Sequence, residues 1–120
     1  FHTIPVPNDV RIISIEIGPD GMVYGLSGKS RFFVFDPEKQ TVVHSEDFSE
    51  YGGVPRHALH SSPDGHIYAL MGRAIVRITP DSFEHVKLSD SPVGISAGGA
   101  LHDGVLYFGS GTHLWSYQVP

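Results

Sequence analysis

A six-residue phrase recurs three times along the chain. It reads Pro19-Asp20-Gly21-Met22-Val23-Tyr24, then Pro63-Asp64-Gly65-His66-Ile67-Tyr68, then His102-Asp103-Gly104-Val105-Leu106-Tyr107. Its glycines lie 44 and 39 residues apart, a period that marks a modular array of one repeated supersecondary unit. The phrase is itself a turn followed by a strand. Pro presets φ for the turn, Asp bonds nearby backbone groups, and Gly takes the φ > 0 position. The third copy replaces Pro with His102 and keeps Asp-Gly, so His102 reads as an exposed turn residue.

The units are made of strands. Gly (14) and Pro (9) interrupt the chain every few residues, and β-branched and aromatic runs lie between them. The first unit is expected to comprise strands at 11–17, 22–26, 31–35 and 40–45. The second repeats the plan at 56–61, 66–70, 74–78 and 84–88. The third has 94–100, 105–109 and 113–119, and then the chain stops one strand short. The segment from Phe1 to Val10 resembles that from Phe83 to Val93, which leads into the third unit. The expected organisation is therefore residues 1–9 as an outer strand, 10–50 as the first unit, 51–91 as the second, and 92–120 as three strands of the third.

The second and third strands of each unit are apolar on both faces. Val23, Ile67 and Leu106 point one way along the second strand, and Tyr24, Tyr68 and Tyr107 point the other. A sheet with one wet face alternates apolar and polar residues; these do not, so they are expected to be covered on both sides. Four-stranded sheets stacked face to face around an axis make a β-propeller. Phe32, Phe33, Phe35, Trp115 and Tyr117 then read as packing between blades rather than as exposed sugar-stacking platforms.

Two stretches carry a family resemblance. Gly104-Val105-Leu106-Tyr107-Phe108-Gly109-Ser110-Gly111 followed by Leu114-Trp115-Ser116-Tyr117 resembles blades of quinoprotein-type and Kelch propellers. Ser62-Pro63-Asp64-Gly65-His66-Ile67-Tyr68-Ala69-Leu70 resembles blades of the NHL and gluconolactonase-like groups. No Trp-Asp dipeptide closes a unit, which counts against Trp-Asp repeats, and Gly98-Gly99 falls in an inner strand rather than at the Kelch position. The resemblance implies an all-β propeller fold. Three blades do not close a ring, since propellers have four to eight. Closure is expected from a second copy, giving a six-bladed homodimer in which residues 1–9 complete the partner's last blade. Joining Pro120 to Phe1 on paper separates Tyr117 from Val10 by 13 residues, against 15 from Ile78 to Val93. A piece of a longer propeller, closed by other segments, is the alternative.

Composition narrows the partners. The net charge is −5, with eight Lys and Arg scattered along 120 residues, so no nucleic-acid partner is expected. There is no cysteine, which excludes disulfides and thiolate chemistry. No apolar run approaches a membrane span and no signal segment opens the chain, so no membrane partner is expected and the compartment stays undetermined. The first residue, Phe1, leaves processing or excision from a longer chain open.

Innermost strands of propellers line a central channel. The residues expected to line it with polar groups are Glu16, Arg56, His57 and His60. Imidazoles with a carboxylate suit a divalent metal, and Glu16, His57 and His60 are the candidates. A spacing of three puts His57 and His60 on opposite faces of an ideal strand, which counts against a shared ion unless a bulge intervenes. No cofactor set is identifiable. His2, His44, His85 and His113 read as surface or blade-edge residues. No Gly-x-Ser-x-Gly elbow is present, and Gly109-Ser110-Gly111 reads as a tight hairpin. The expected function is a self-assembling, non-enzymatic binding or scaffold module for a carbohydrate, peptide or protein loop. A lyase, lactonase or hydrolase acting in the channel is the alternative.

Overall fold

Two-faced apolar strands leave few options, and the chain takes the stacked one. The computed structural model describes residues 1–4, 6 and 10–120. Within them, three antiparallel sheets follow one another in sequence order. The first joins β1 (Ile12–Ile17), β2 (Val23–Ser27), β3 (Arg31–Asp36) and β4 (Thr41–Asp47). The second joins β5 (Leu59–Ser61), β6 (Ile67–Leu70), β7 (Ala74–Ile78) and β8 (His85–Asp90). The third has only β9 (Ala97–His102), β10 (Val105–Ser110) and β11 (His113–Gln118). The last sheet is thus one strand short, as the sequence indicates. Regular helix among the described residues amounts to short 3-10 turns at Gly28–Ser30 and Ser49–Tyr51.

Successive sheets pack face against face, and each interface is a hydrophobic layer. Tyr24, Leu26, Phe32 and Val34 of the first sheet meet Ile67, Ala69, Val76 and Ile78 of the second. The opposite face of the second sheet carries Tyr68, Leu70 and Ile75, which meet Leu106 and Phe108 of the third. Neighbours in sequence along β6 therefore serve different layers. Burying each of the larger aliphatic and phenylalanine side chains among these stabilises the fold by about 1.5–3 kcal/mol. Bulges between Val34 and Phe35 and between Ile75 and Val76 interrupt the register of the outer strand pairs of both complete sheets. Such bulges increase strand twist.

Two strands begin later than their sequence suggests. β5 starts at Leu59 rather than Arg56, and β9 at Ala97 rather than Gly94. The connections leading into both strands are bonded instead to one hairpin of the second sheet, the β6–β7 turn. Gly72 N–H donates to Gly53 O at 2.8 Å, Arg73 N–H to Tyr51 O at 3.1 Å, and Ile95 N–H to Gly72 O at 3.0 Å. Each connection laces one blade to the next before its new strand starts.

The recurring phrase forms a lock between turn and sheet. Tyr24 donates its hydroxyl to Asp20 Oδ2 at 2.5 Å, while Met22 N–H donates to the other carboxylate oxygen at 3.1 Å. Tyr68 and His66 N–H repeat this on Asp64, at 2.6 and 2.9 Å. The three glycines have φ of 79°, 90° and 76°, as the turn requires. Burial, reinforced by the Asp64 carboxylate, pushes the Tyr68 hydroxyl up to about 12. Burial would raise Asp64 too, but the Tyr68 hydroxyl and His66 amide outweigh it and hold the carboxyl below its usual range. Tyr107 has the same spacing from Asp103, yet it stands on the open face of the third sheet, 38% exposed. Asp103 instead lies 3.2 Å from His102.

The two outermost sheet faces have no cover among the described residues. On the first sheet, Ile15 and Ile17 are 60% and 54% exposed in rows with Phe33 and Phe35. Phe33 is buried because its ring lies flat on the sheet, where a Cβ on Gly25 would fall 2.2 Å from it. On the third sheet, Leu114 is 80% exposed beside Tyr107. Phe1–Ile4 and Val6 belong to no strand of the single chain. The remainder of the expected N-terminal strand, residues 5 and 7–9, lies outside the described residues.

The lock predicts unequal effects for equivalent tyrosines. At dilutions where the chain is one copy, Tyr24→Phe and Tyr68→Phe are each expected to cost about 1 kcal/mol in urea unfolding. Tyr107→Phe should leave the midpoint unchanged. Equal losses in all three would contradict the lock.

Candidate functional site

The first strands of the three sheets gather along one edge, and the expected polar residues lie there. β1 and β5 are neighbours: Leu59 N–H donates to Ser14 Oγ at 3.2 Å, a bond closed to solvent. β9 approaches the start of the second sheet, where Gly98 N–H donates to Arg56 O at 2.9 Å and Ala97 pairs with Arg56 in a parallel bridge. Gly98 is required sterically, because a Cβ there would meet His57 O at 2.4 Å.

Two adjoining cavities open on this inner edge, sharing Ile13 and His57. One, of about 360 Å³, is bordered by Arg11, Arg56 and His57 with Ile12, Ile13 and Val54. The other, of about 320 Å³, is bordered by Glu16, His57 and His60. All four sequence-expected residues thus reach one continuous surface. The objection from spacing does not apply to His57 and His60. β5 has not yet begun at His57, whose φ of 55° turns the chain out of the strand alternation.

His60 is half-buried on this edge. Its Nε2 is buried without a hydrogen-bond partner among the described residues. Burial holds the imidazole below its usual value of 6.5, against opposing pulls from a bond to the His57 backbone and from the Glu16 charge. Burial thus favours the neutral ring, one of whose nitrogens can accept a hydrogen bond. Among the described residues, no three His, Cys, Asp or Glu side chains are placed to hold one metal ion. Glu16, His57 and His60 share a cavity without forming a ligand set.

A second polar cluster lies on the opposite, outer rim, and the sequence reading missed it. Tyr51 OH lies 2.7 Å from His85 Nδ1, His85 Nε2 lies 2.6 Å from Glu46 Oε1, and His44 Nε2 lies 2.8 Å from Glu46 Oε2. In the arrangement these distances allow, His85 donates from Nε2 and accepts the tyrosine hydroxyl at Nδ1. The chain of bonds joins β4 to β8 across the first blade interface. Phe48 packs on the His85 ring with centroids 4.6 Å apart. The signal in the sequence is slight: His44 and Glu46 share one face of β4, and nothing local announces His85. Both histidines are blade-edge residues as expected, with a bonding role that was not anticipated.

This cluster makes the blade interface sensitive to acid. Burial alone would raise the Glu46 carboxyl, but hydrogen bonds from His85 and His44 outweigh it and hold it below the usual 4.5. A carboxyl lowered in the folded state contributes stability that is complete above its unfolded value and is lost as pH falls through the folded value. Glu46→Gln is expected to cost about 0.5–1.5 kcal/mol near neutral pH in urea unfolding. That difference should shrink below the unfolded glutamate value and vanish in strong acid. A penalty independent of pH would contradict the assignment.

No helix among the described residues is long and apolar enough to cross a membrane. No protein-family model matches the chain, and no curated protein matches it in sequence. Solved structures do match in fold. The WD40 repeats of RRP9 superpose with a TM-score of 0.69 at 15% identity, over 95% of this chain and 37% of that one. The extracellular domain of BT3049 from B. thetaiotaomicron, assigned to a hybrid two-component system, gives 0.63 at 16% identity, over 88% of this chain and 15% of that one. The chain thus spans about a third of the first and a smaller part of the second. The likeness to WD40 repeats is one of backbone alone, since no Trp-Asp dipeptide closes a unit here. Three sheets of blade type, stacked in sequence order and matched by these neighbours, make the chain a partial β-propeller.

Proposed function

We propose that the chain is a non-enzymatic binding or scaffold module, a three-blade sector of a propeller whose ring a second copy completes. The observation that carries this is the state of the two end sheets. The internal interfaces bury Tyr24, Ile67, Tyr68 and Leu106 completely, whereas the equivalent outward faces leave Ile15, Ile17, Tyr107 and Leu114 open to solvent. Exposed apolar side chains gathered on one sheet face at each end are characteristic of an interaction surface. The third sheet also ends on β11, an edge strand with no neighbour beyond it among the described residues.

In a two-fold ring the first sheet of each copy covers the third sheet of the other, and six blades result. Residues 1–9 of each chain then supply the fourth strand beside the partner's β11. The similarity of residues 1–10 to the stretch leading out of the second unit supports this exchange. Tyr107 would enter a closed layer and take up the same lock on Asp103 that Tyr24 and Tyr68 make in theirs. Any ligand, whether carbohydrate, peptide or protein loop, would sit at the channel mouth against Glu16, Arg56, His57 and His60.

A second reading has its own support. The chain matches 37% of one solved chain and 15% of another, so other blades of a longer protein are the alternative cover for the same faces.

Sedimentation equilibrium separates the two. The homodimer reading expects a mass of two chains at micromolar concentration, reduced to one when residues 1–9 are deleted. A single-chain mass for the intact sequence at high concentration would overturn it and leave the longer-chain reading.

A further inference from the structure

The inner edge carries Arg11 and Arg56 at one end and Glu16 at the other. The chain carries 13 Asp and Glu against 8 Lys and Arg. Two of those cations, Arg11 and Arg56, nevertheless border one cavity together with His57. Both are exposed, and neither is among the residues that form ion pairs within the described structure. Lys87, by contrast, is held by Asp90 at 2.8 Å.

Beneath those two side chains the backbone is fixed. Arg11 O accepts from Gly28 N–H at 2.8 Å, and Arg56 O accepts from Gly98 N–H at 2.9 Å. His57 is pinned between them by the close approach of Gly98. A ligand then has mainly side-chain rotamers to order, which limits the cost of binding. Ile12, Ile13 and Val54 form an apolar wall beside the guanidiniums. Polar contacts are worth more against such a wall than in open water. Glu16 lies five positions along from Arg11, about 17 Å at the rise of a strand, so the negative group of this edge stands at the other end.

We propose that Arg11, Arg56 and His57 form a receptor for an oxyanion, a carboxylate or phosphate carried by a small ligand that enters the inner edge from this end. The planar guanidinium fork matches either group bidentately. The proposal deepens the channel-mouth reading and rests on it for biological purpose. The receptor itself comes wholly from one chain and does not need ring closure.

The test titrates the full chain, at low ionic strength, with inorganic phosphate and separately with succinate. Arginine Nε–H resonances report binding, and sedimentation of the same samples reports mass. Saturable binding of one probe per chain is expected from at least one of the two, and which one saturates tells phosphate from carboxylate. Arg11→Gln or Arg56→Gln should weaken it at least about tenfold, the loss of one charge-assisted bond. Arg56→Lys should weaken it less, and Lys87→Gln not at all. Non-saturating shifts with both probes, or saturation unchanged in Arg56→Gln, would overturn the proposal. A two-chain mass without saturable binding rejects the receptor and keeps the ring. A one-chain mass with arginine-dependent binding does the reverse.

Discussion

Apolar residues on both faces of a sheet must be covered on both faces. Every other feature of the chain follows from that requirement. β6 shows it most plainly: Ile67 and Ala69 belong to one hydrophobic layer, Tyr68 and Leu70 to the next. A sheet built this way has no solvent side, so it is stable only between neighbours. Three such sheets satisfy two interfaces and leave two faces over. The exposed isoleucines at one end and Tyr107 with Leu114 at the other are the unspent half of the same interaction.

Stacking also decides where chemistry is available. Residues inside the layers are committed to packing, so polar groups collect on the two rims. The outer rim uses its polar groups for cohesion, through Glu46 and the histidines that bridge the first two blades. The inner rim leaves Arg11, Arg56 and His57 free of internal carboxylates among the described residues, on a backbone that neighbouring blades hold in place. Strain at His57, with φ of 55°, is maintained by that same approach of β9. One rim holds the arc together, and the other presents the polar groups of the inner edge.

Much of this was legible in the sequence because it depends on local rules. The Asp-Gly turns fix where strands two begin, and period-two apolarity on both faces implies stacking. Glu16, Arg56, His57 and His60 are expected on one edge because they fall on or beside innermost strands, and in the fold they border two adjoining cavities. What the sequence hid was long-range. The late starts of β5 and β9 go with lacing bonds from both connections to the β6–β7 turn, which no local pattern encodes. The Tyr51–His85–Glu46–His44 chain joins residues up to 41 positions apart, and the strand spacing of three misjudged His57 because a left-handed turn precedes β5. The absence of a Trp-Asp dipeptide counted against one repeat type, yet the backbone still superposes on it, since blade geometry does not depend on that motif.

Amide hydrogen exchange along β11 addresses the central claim most directly. His113–Gln118 is bonded to β10 on one side, and its other side has no partner among the described residues. If another copy supplies the missing cover and strand, the amides pointing away from β10 will be protected at high protein concentration, and that protection will disappear on dilution. Rapid exchange of those amides at every concentration, with the β10-facing ones protected throughout, would show a finished three-sheet molecule that needs no partner.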